Sequence, residues 1–297
     1  MLNVVGKKGI YFTVSALAVG TALAVVLLYG FREGIDFRGG ALWQFSVREN
    51  TPSVAALETL FREKLSIQDV RVNRDAAEGF LVRFSEVSEK DHQQHLQTLK
   101  ETYSSFEELS FSSIGPSVGA ELRRKALMGM LFVLLGISLY IAYAFRKASY
   151  PVSSWKYGWV TLLSLFHDVA IPAGLLAYLG KHYGVEIDGN FIVALLVVMG
   201  FSVHDTIVVF DRIRENVVLR GHKEKFEVVV NDSINQTLAR SVNTSLTLIL
   251  VLLALYFAGP ETLRYFILTL LVGVTTGIYS SIFIASPLLI VFRGKRG

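Results

Sequence analysis

The chain has 297 residues, 52% of them apolar, with no cysteine and a formal net charge of +4. The missing cysteines exclude disulfides, thiolate metal sites and a cysteine nucleophile, and so small a net charge offers no footing for nucleic-acid binding. A mean hydropathy of +0.46 is too high for an ordinary soluble domain, and the apolar residues are gathered in long runs, as in membrane proteins.

A helix needs about 20 apolar residues to cross the hydrocarbon layer. The first such run is 10–29, preceded by Lys7 and Lys8. It leads into Tyr29-Gly30-Phe31-Arg32 rather than a small-x-small cleavage site, so an uncleaved anchor is expected. Further spans are predicted at 126–145, 157–180, 191–210 and 241–258. The last, 265–292, is longer than the bilayer requires and is expected to tilt or to extend past the surface. The layout is thus an N-terminal tail and first helix (1–30), a soluble domain (31–120), and a five-helix remainder (121–297) with a loop at 211–240.

Six spans put both ends on one side. The connections on that side carry Lys7, Lys8, Arg146, Lys147 and Lys156, then Arg212, Arg214, Arg220, Lys223, Lys225 and Arg240, then Arg293, Lys295 and Arg296. The opposite short loops hold Lys181 and Arg264. The positive-inside rule therefore places both ends and the 211–240 loop in the cytoplasm, and 31–120 outside. Arg123, Arg124 and Lys125 depart from the rule, which large translocated domains override.

The outward segment 31–120 has ten basic and fourteen acidic residues. Strand patterns at 41–47, 70–73, 80–84 and 106–114 alternate with helical patterns at 53–65 and 88–103, the middle strands being joined through 75–79. The first helix starts after Pro52 and aligns Val54, Leu57, Phe61 and Leu65; the second turns Leu96, Leu99 and Tyr103 inward. The order βαββαβ predicts an α+β ferredoxin-like domain. His92 and His95 fall on the polar helix and are expected to be solvated, with no metal site.

Charged residues inside a span cost at least ~2.5 kcal/mol each, so they are usually interior and functional. His167-Asp168 lies in the third span and His204-Asp205 in the fourth, while Arg240 stands just before the fifth. Thr161 and Ser164 share a face with Asp168; Ser202 and Thr206 share one with Asp205; Arg240, Asn243, Thr244 and Thr247 make a stripe on the fifth span. The expected arrangement turns these faces toward one another around a hydrophilic pocket. Pro172 frees the Asp168 carbonyl. Asp205 lies about 8 Å from the end of its apolar run and Arg240 at the matching end of its own, so the two are neighbours in depth. A fixed ion pair that orients helices and a carboxylate that gains and loses a proton are both open readings. Asp168 reads equally as a hydrogen-bonded residue beside a proline kink, and His167 and His204 as packing or interfacial residues or as proton relays. In the sixth span Gly273, Gly277, Ser281 and Ala285 form a small-xxx-small stripe for close helix packing.

Four strings occur in order. They are Gly34-Ile35-Asp36-Phe37-Arg38-Gly39-Gly40 after the first span and Gly115-Pro116-Ser117-Val118-Gly119 before the second. Ser202-Val203-His204-Asp205-Thr206 follows within 201–216, and Ala239-Arg240-Ser241-Val242-Asn243-Thr244-Ser245 within 233–245. Together they resemble the SecF family of bacterial protein-export membrane subunits, over nearly the whole chain. The resemblance implies a six-span α-helical bundle of the RND superfamily with one periplasmic α+β domain. It implies residence in the bacterial inner membrane and a role in the Sec pathway, in which the proton motive force promotes export. The implied partners are SecD, the SecYEG translocon, YajC, the translocating preprotein and membrane lipids; no cofactor or enzymatic chemistry is implied. The family's proton-linked pair maps onto Asp205 and Arg240. His204 departs from the family pattern of Asn or Asp at that position, which touches local proton affinity and leaves Asp205 intact. Gly34, Gly39 and Gly40 suit a tight turn at the junction of membrane helix and domain, and Asp36 reads equally as a hinge or interface residue or as a plain turn residue.

Three other functions fit parts of the pattern. Half of an RND-type small-molecule exporter shares the membrane logic but normally carries larger outward domains. An intramembrane aspartyl protease needs two membrane aspartates, and Asp168 and Asp205 meet the count without a Gly-x-Gly-Asp context. A helix scaffold that moves no ion is the plainest alternative.

Overall fold

The computed structural model describes residues 2–74, 79–146, 152–220 and 224–293. Of the expected connection at 75–79, residues 75–78 lie outside the described residues and Gly79 begins a strand; the basic residues Lys147, Lys223, Lys295 and Arg296 also lie outside them. The chain divides into two compact units, one of Met1–Arg32 with Met128–Gly297, the other Glu33–Leu127.

Apolar runs fold as long helices, since a helix satisfies its own backbone where water is absent, and one of them accommodates Pro172 in its interior. They are α1 (Lys8–Tyr29), α5 (Pro116–Ala144), α6 (Ser154–Tyr183), α7 (Gly189–Arg220) and α8 (Phe226–Ala258). The last span is interrupted: α9 (Arg264–Ser280) passes through a π turn (Ser281–Ala285) into α10 (Ser286–Val291). Among the described residues, six helices are long and apolar enough to cross a membrane. α6 and the last span are the most enclosed, while α1 and α5 present most of their surface outward.

Small residues set the close contacts of the membrane unit. A Cβ on Gly174 would sit 2.5 Å from Ala22 of α1, and one on Gly158 would lie 2.7 Å from the Ser138 carbonyl of α5. On α9, a Cβ at Gly273 would collide with Val198 of α7, and one at Gly277 would meet Ser202 at 3.1 Å. The small-residue stripe of the last span therefore packs against α7.

The expected loop at 211–240 is helical over most of its length. α7 continues to Arg220 and α8 begins at Phe226. Polar residues extend the two helices beyond their apolar runs because they pair along and between them. Asp211 pairs with Arg214 at 2.7 Å and Arg220 with Asp232 at 2.6 Å, while Asn216 Nδ2 donates to Ser233 Oγ at 2.8 Å. At the same end Asn231 and Asn235 of α8 grip the first residues of the chain. Asn231 Oδ1 accepts from the Val4 and Val5 amides, and Asn235 Oδ1 accepts from the Leu2 amide.

The second unit holds α2 (Ile35–Arg38), β1 (Gly40–Val47), α3 (Val54–Glu63), β2 (Arg71–Arg74), β3 (Gly79–Phe84), α4 (Glu89–Thr102) and β4 (Phe106–Ile114). The strands form an antiparallel sheet in the order β2-β3-β1-β4, the ferredoxin-like arrangement expected from βαββαβ. Strand alternation sends Trp43, Phe45 and Val47 of β1 and Phe80, Val82 and Phe84 of β3 to one face, where they pack with Leu57 and Phe61 of α3 and Leu96 and Leu99 of α4. Ser53 and Ser88 cap the two helices.

His92 is not solvated. It is 4% exposed, its ring stacks on Phe111 at 3.6 Å, and Nε2 lies 2.8 Å from a Glu108 oxygen. It sits four residues before Leu96, on the inward face of α4, and an aromatic ring with one polar edge completes that face. His95 lies outside it, partly enclosed, and burial lowers its pKa from the ordinary value.

Candidate functional site: the buried polar core of the membrane unit

Two aspartates are enclosed in the membrane unit, and their surroundings differ. Asp168 of α6 is 0% exposed. Oδ2 accepts from Ser202 Oγ of α7 at 2.5 Å and from Ser280 Oγ of α9 at 2.7 Å. Oδ1 lies 2.8 Å from His167 Nδ1. The carboxylate thus joins three helices, and each of its oxygens has a partner. His167 is also buried, its ring stacked on Tyr279, whose hydroxyl donates to the Tyr11 carbonyl of α1. Thr161 and Ser164 are buried on the same face but bond back to their own helix.

The π turn makes part of this contact. Consecutive side chains on an α-helix diverge by about 100°, yet Ser280 and Ser281 are both wholly buried against α6 and α7. Ser281 Oγ lies 2.8 Å from Thr206 Oγ1 and donates to the Ser202 carbonyl at 3.3 Å. Pro287, one turn further on, has no N–H for the carbonyl of Phe283, which favours a widened turn at this point.

Asp205 lies three residues beyond Ser202 on α7 and is 2% exposed. Its hydrogen-bond partner among the described residues is a single neutral hydroxyl, Ser245 Oγ of α8, at 3.2 Å. Arg240 and His204 are within electrostatic reach of the carboxylate, but no ion pair joins Asp205 to Arg240 among the described residues.

The stripe expected on the fifth span does not face the interior. Arg240, Asn243, Thr244 and Thr247 lie on the exposed side of α8, and His204 is exposed on α7. The inward side is Ser233, Thr237, Ser241 and Ser245. The two faces are offset by one residue, about 100° of helix rotation, so both read as polar stripes in the sequence. Ser245, Ser241 and Ser280 were not singled out as site residues; their four-residue spacing with Thr237, or their place beside the small-residue stripe, is the signal that points to them.

In the second unit the two glycine strings pack on each other. Gly39 and Gly40 have φ of 80° and 121° and close the α2 turn. A Cβ on Gly39 would lie 2.7 Å from Pro116 Cα, and one on Gly119 would lie 2.9 Å from the Gly39 amide. Gly34 is in extended backbone open to other residues, with φ −78° and ψ −177°. Asp36 lies within α2. No metal-binding cluster of His, Cys, Asp or Glu occurs among the described residues.

Residues 94–295 match the family described as protein export membrane protein SecD/SecF, C-terminal. The chain is 43% identical to the protein translocase subunit SecF of Thermobaculum terrenum, covering 99% of this chain and 95% of that one. It is 36% identical to the SecDF of Thermus thermophilus over 99% of this chain and 39% of that protein. It superposes on the crystal structure of Thermus SecDF with a TM-score of 0.81, at 36% identity, over 98% of this chain and 38% of that one. The chain therefore spans well under half the length of SecDF and nearly the full length of SecF. It belongs to the SecD/SecF family of protein-export membrane proteins, as a SecF-type subunit of the protein translocase.

Proposed function

We propose that this subunit, paired with SecD, uses the proton motive force to promote protein export across the bacterial inner membrane, through a protonation change at Asp205 that Arg240 senses. The observation that carries the reading is the contrast between the two buried aspartates. Among the described residues, Asp168 has three partners that hold it in one arrangement, whereas Asp205 has one neutral hydroxyl that serves either protonation state. Structural duty falls to the first and exchange to the second, since an enclosed membrane carboxylate without a tight ion pair is costly to keep for architecture alone.

Arg240, with Asn243, Thr244 and Thr247, offers a polar face on the outside of this chain. Such a face does not suit lipid, and we assign it to the SecD contact, which the fused relative makes within one polypeptide. Both ends and the 211–240 region are assigned to the cytoplasm and 31–120 to the periplasm, by the Lys and Arg distribution. There the 31–120 domain would meet the SecYEG translocon, YajC or the emerging preprotein.

Asp205→Asn tests the reading. The amide keeps the shape and the Ser245 contact but carries no exchangeable acid proton. In inverted vesicles holding both subunits, stimulation of preprotein translocation by the proton motive force is expected to vanish while the subunit still inserts. Full stimulation in this variant overturns the proton role.

A further inference from the structure

Ser241 departs from the rule that its neighbours follow. A helical serine or threonine in an apolar setting usually closes on a carbonyl one turn back. Ser233 donates to Val229, Thr237 to Ser233, and Thr244 to Arg240. Ser241 is 1% exposed, and its hydroxyl bonds neither its own helix nor any other described residue. A buried hydroxyl left this way forfeits about 1–3 kcal/mol unless a small polar ligand meets it.

The neighbours indicate what that ligand is. Ser241 stands one turn from Ser245, on the same inward face of α8, and Ser245 touches the Asp205 carboxylate. The four residues between them rise about 6 Å, close to two hydrogen bonds of about 2.8 Å end to end. That rise matches the span of one bridging water, and a buried water needs two to four polar partners. In the other direction the row continues through Thr237 to Ser233, which accepts from Asn216 Nδ2, near the end of the bundle where Asn231 and Asn235 hold the first residues of the chain. Among the described residues, the charged groups that act on Asp205 are His204 on its own helix and Arg240 on α8; α6 brings the His167–Asp168 pair to Ser202, one turn before Asp205, and the adjoining part of the last span presents the neutral hydroxyls of Ser280 and Ser281.

We infer that Ser241 holds a water that relays the proton of Asp205, through Ser245, toward the N-terminal end of α8. The Asp205 O–H bond breaks as Ser245 Oγ accepts the proton. Ser245 releases its own hydroxyl proton to the water at Ser241, which takes it up as hydronium and carries it toward the N-terminal end of α8. The carboxylate keeps the electron pair, so charge and atoms balance. This inference rests on the exchange role assigned to Asp205.

The test is proton flux, read with a pH dye trapped in vesicles that hold the full chain and SecD, beside thermal unfolding of the same variants. Ser241→Ala is expected to slow the flux about tenfold with an unchanged melting temperature. Ser241→Thr, which restores a hydroxyl, is expected to recover most of it. Unchanged flux in Ser241→Ala, with none in Asp205→Asn, overturns the relay and leaves the Asp205 reading intact. Equal loss in the Ala and Thr variants also overturns it, since packing then explains the effect. Full flux in Asp205→Asn overturns the reading beneath it.

Discussion

Ser280 of α9 donates a hydrogen bond to the Asp168 carboxylate of α6 at 2.7 Å, within a membrane span and beyond the reach of solvent. Together with Ser202 and His167 it makes Asp168 the fastening point of three helices.

Replacing that carboxylate with an apolar side chain would strand the Ser202 hydroxyl and the His167 imidazole, while Ser280 would fall back on the Gly277 carbonyl at 3.1 Å. Asp168→Leu is expected to cost about 3 kcal/mol. Asp168→Asn, whose amide oxygen still accepts, should cost less than half as much. Unfolding in detergent micelles, followed by fluorescence, checks both.

Gly39 combines a left-handed backbone with backbone contact against Pro116. Gly39→Ala is expected to destabilise the soluble unit by about 1–3 kcal/mol. Gly34→Ala, in extended backbone, should stay within about 0.5 kcal/mol. Protease resistance of the full chain in detergent separates the two.

In the soluble unit, the Ser85 hydroxyl donates to Asp69 at 2.7 Å and its amide at 3.2 Å. These bonds, the hydroxyl first, hold the Asp69 carboxyl below its ordinary pKa. A folded-state pKa below the unfolded one contributes stability that is complete above the unfolded value, about 3.9, and is lost as pH falls through the folded value. Asp69→Asn is therefore expected to narrow the gap in melting temperature between about pH 6 and about pH 3. An unchanged gap would remove Asp69 from the acid sensitivity of the domain.

Arg240 is exposed, and no ion pair ties it to a carboxylate among the described residues. Arg240→Met is expected to leave the stability of the isolated subunit within about 0.5 kcal/mol, and to abolish stimulation of export when SecD is present. A large loss of stability in the isolated subunit would mark Arg240 as architecture instead.

Periodicity carried most of the fold. The six spans and the βαββαβ order follow from apolar runs and alternation, because each element must bury its apolar face. The rotation of α8 was less legible. Arg240-Asn243-Thr244-Thr247 and Thr237-Ser241-Ser245 are both polar stripes, and the more strongly polar one lies outward. Sequence alone cannot separate a face turned to a helix of the same chain from one turned to another subunit. His92 was missed because its helix is mostly polar, while its ring fills a place that Phe111 and Trp43 leave in the core. The helical stretch within 211–240 was hidden because apolar runs mark where lipid ends, and a helix ends only where its backbone pairing does.

A π turn holds one residue more than regular winding requires. Deleting a residue within Ser281–Ala285 would let the helix rewind as a plain spiral, keeping the phase of Leu288, Leu289 and Ile290 toward the bundle and giving up one of the paired serines. The same deletion elsewhere in the span would turn everything beyond it by about 100°. This short stretch is therefore the place where the last helix can change length and keep its alignment, and where an altered count of residues would reach Asp168 and Thr206 together.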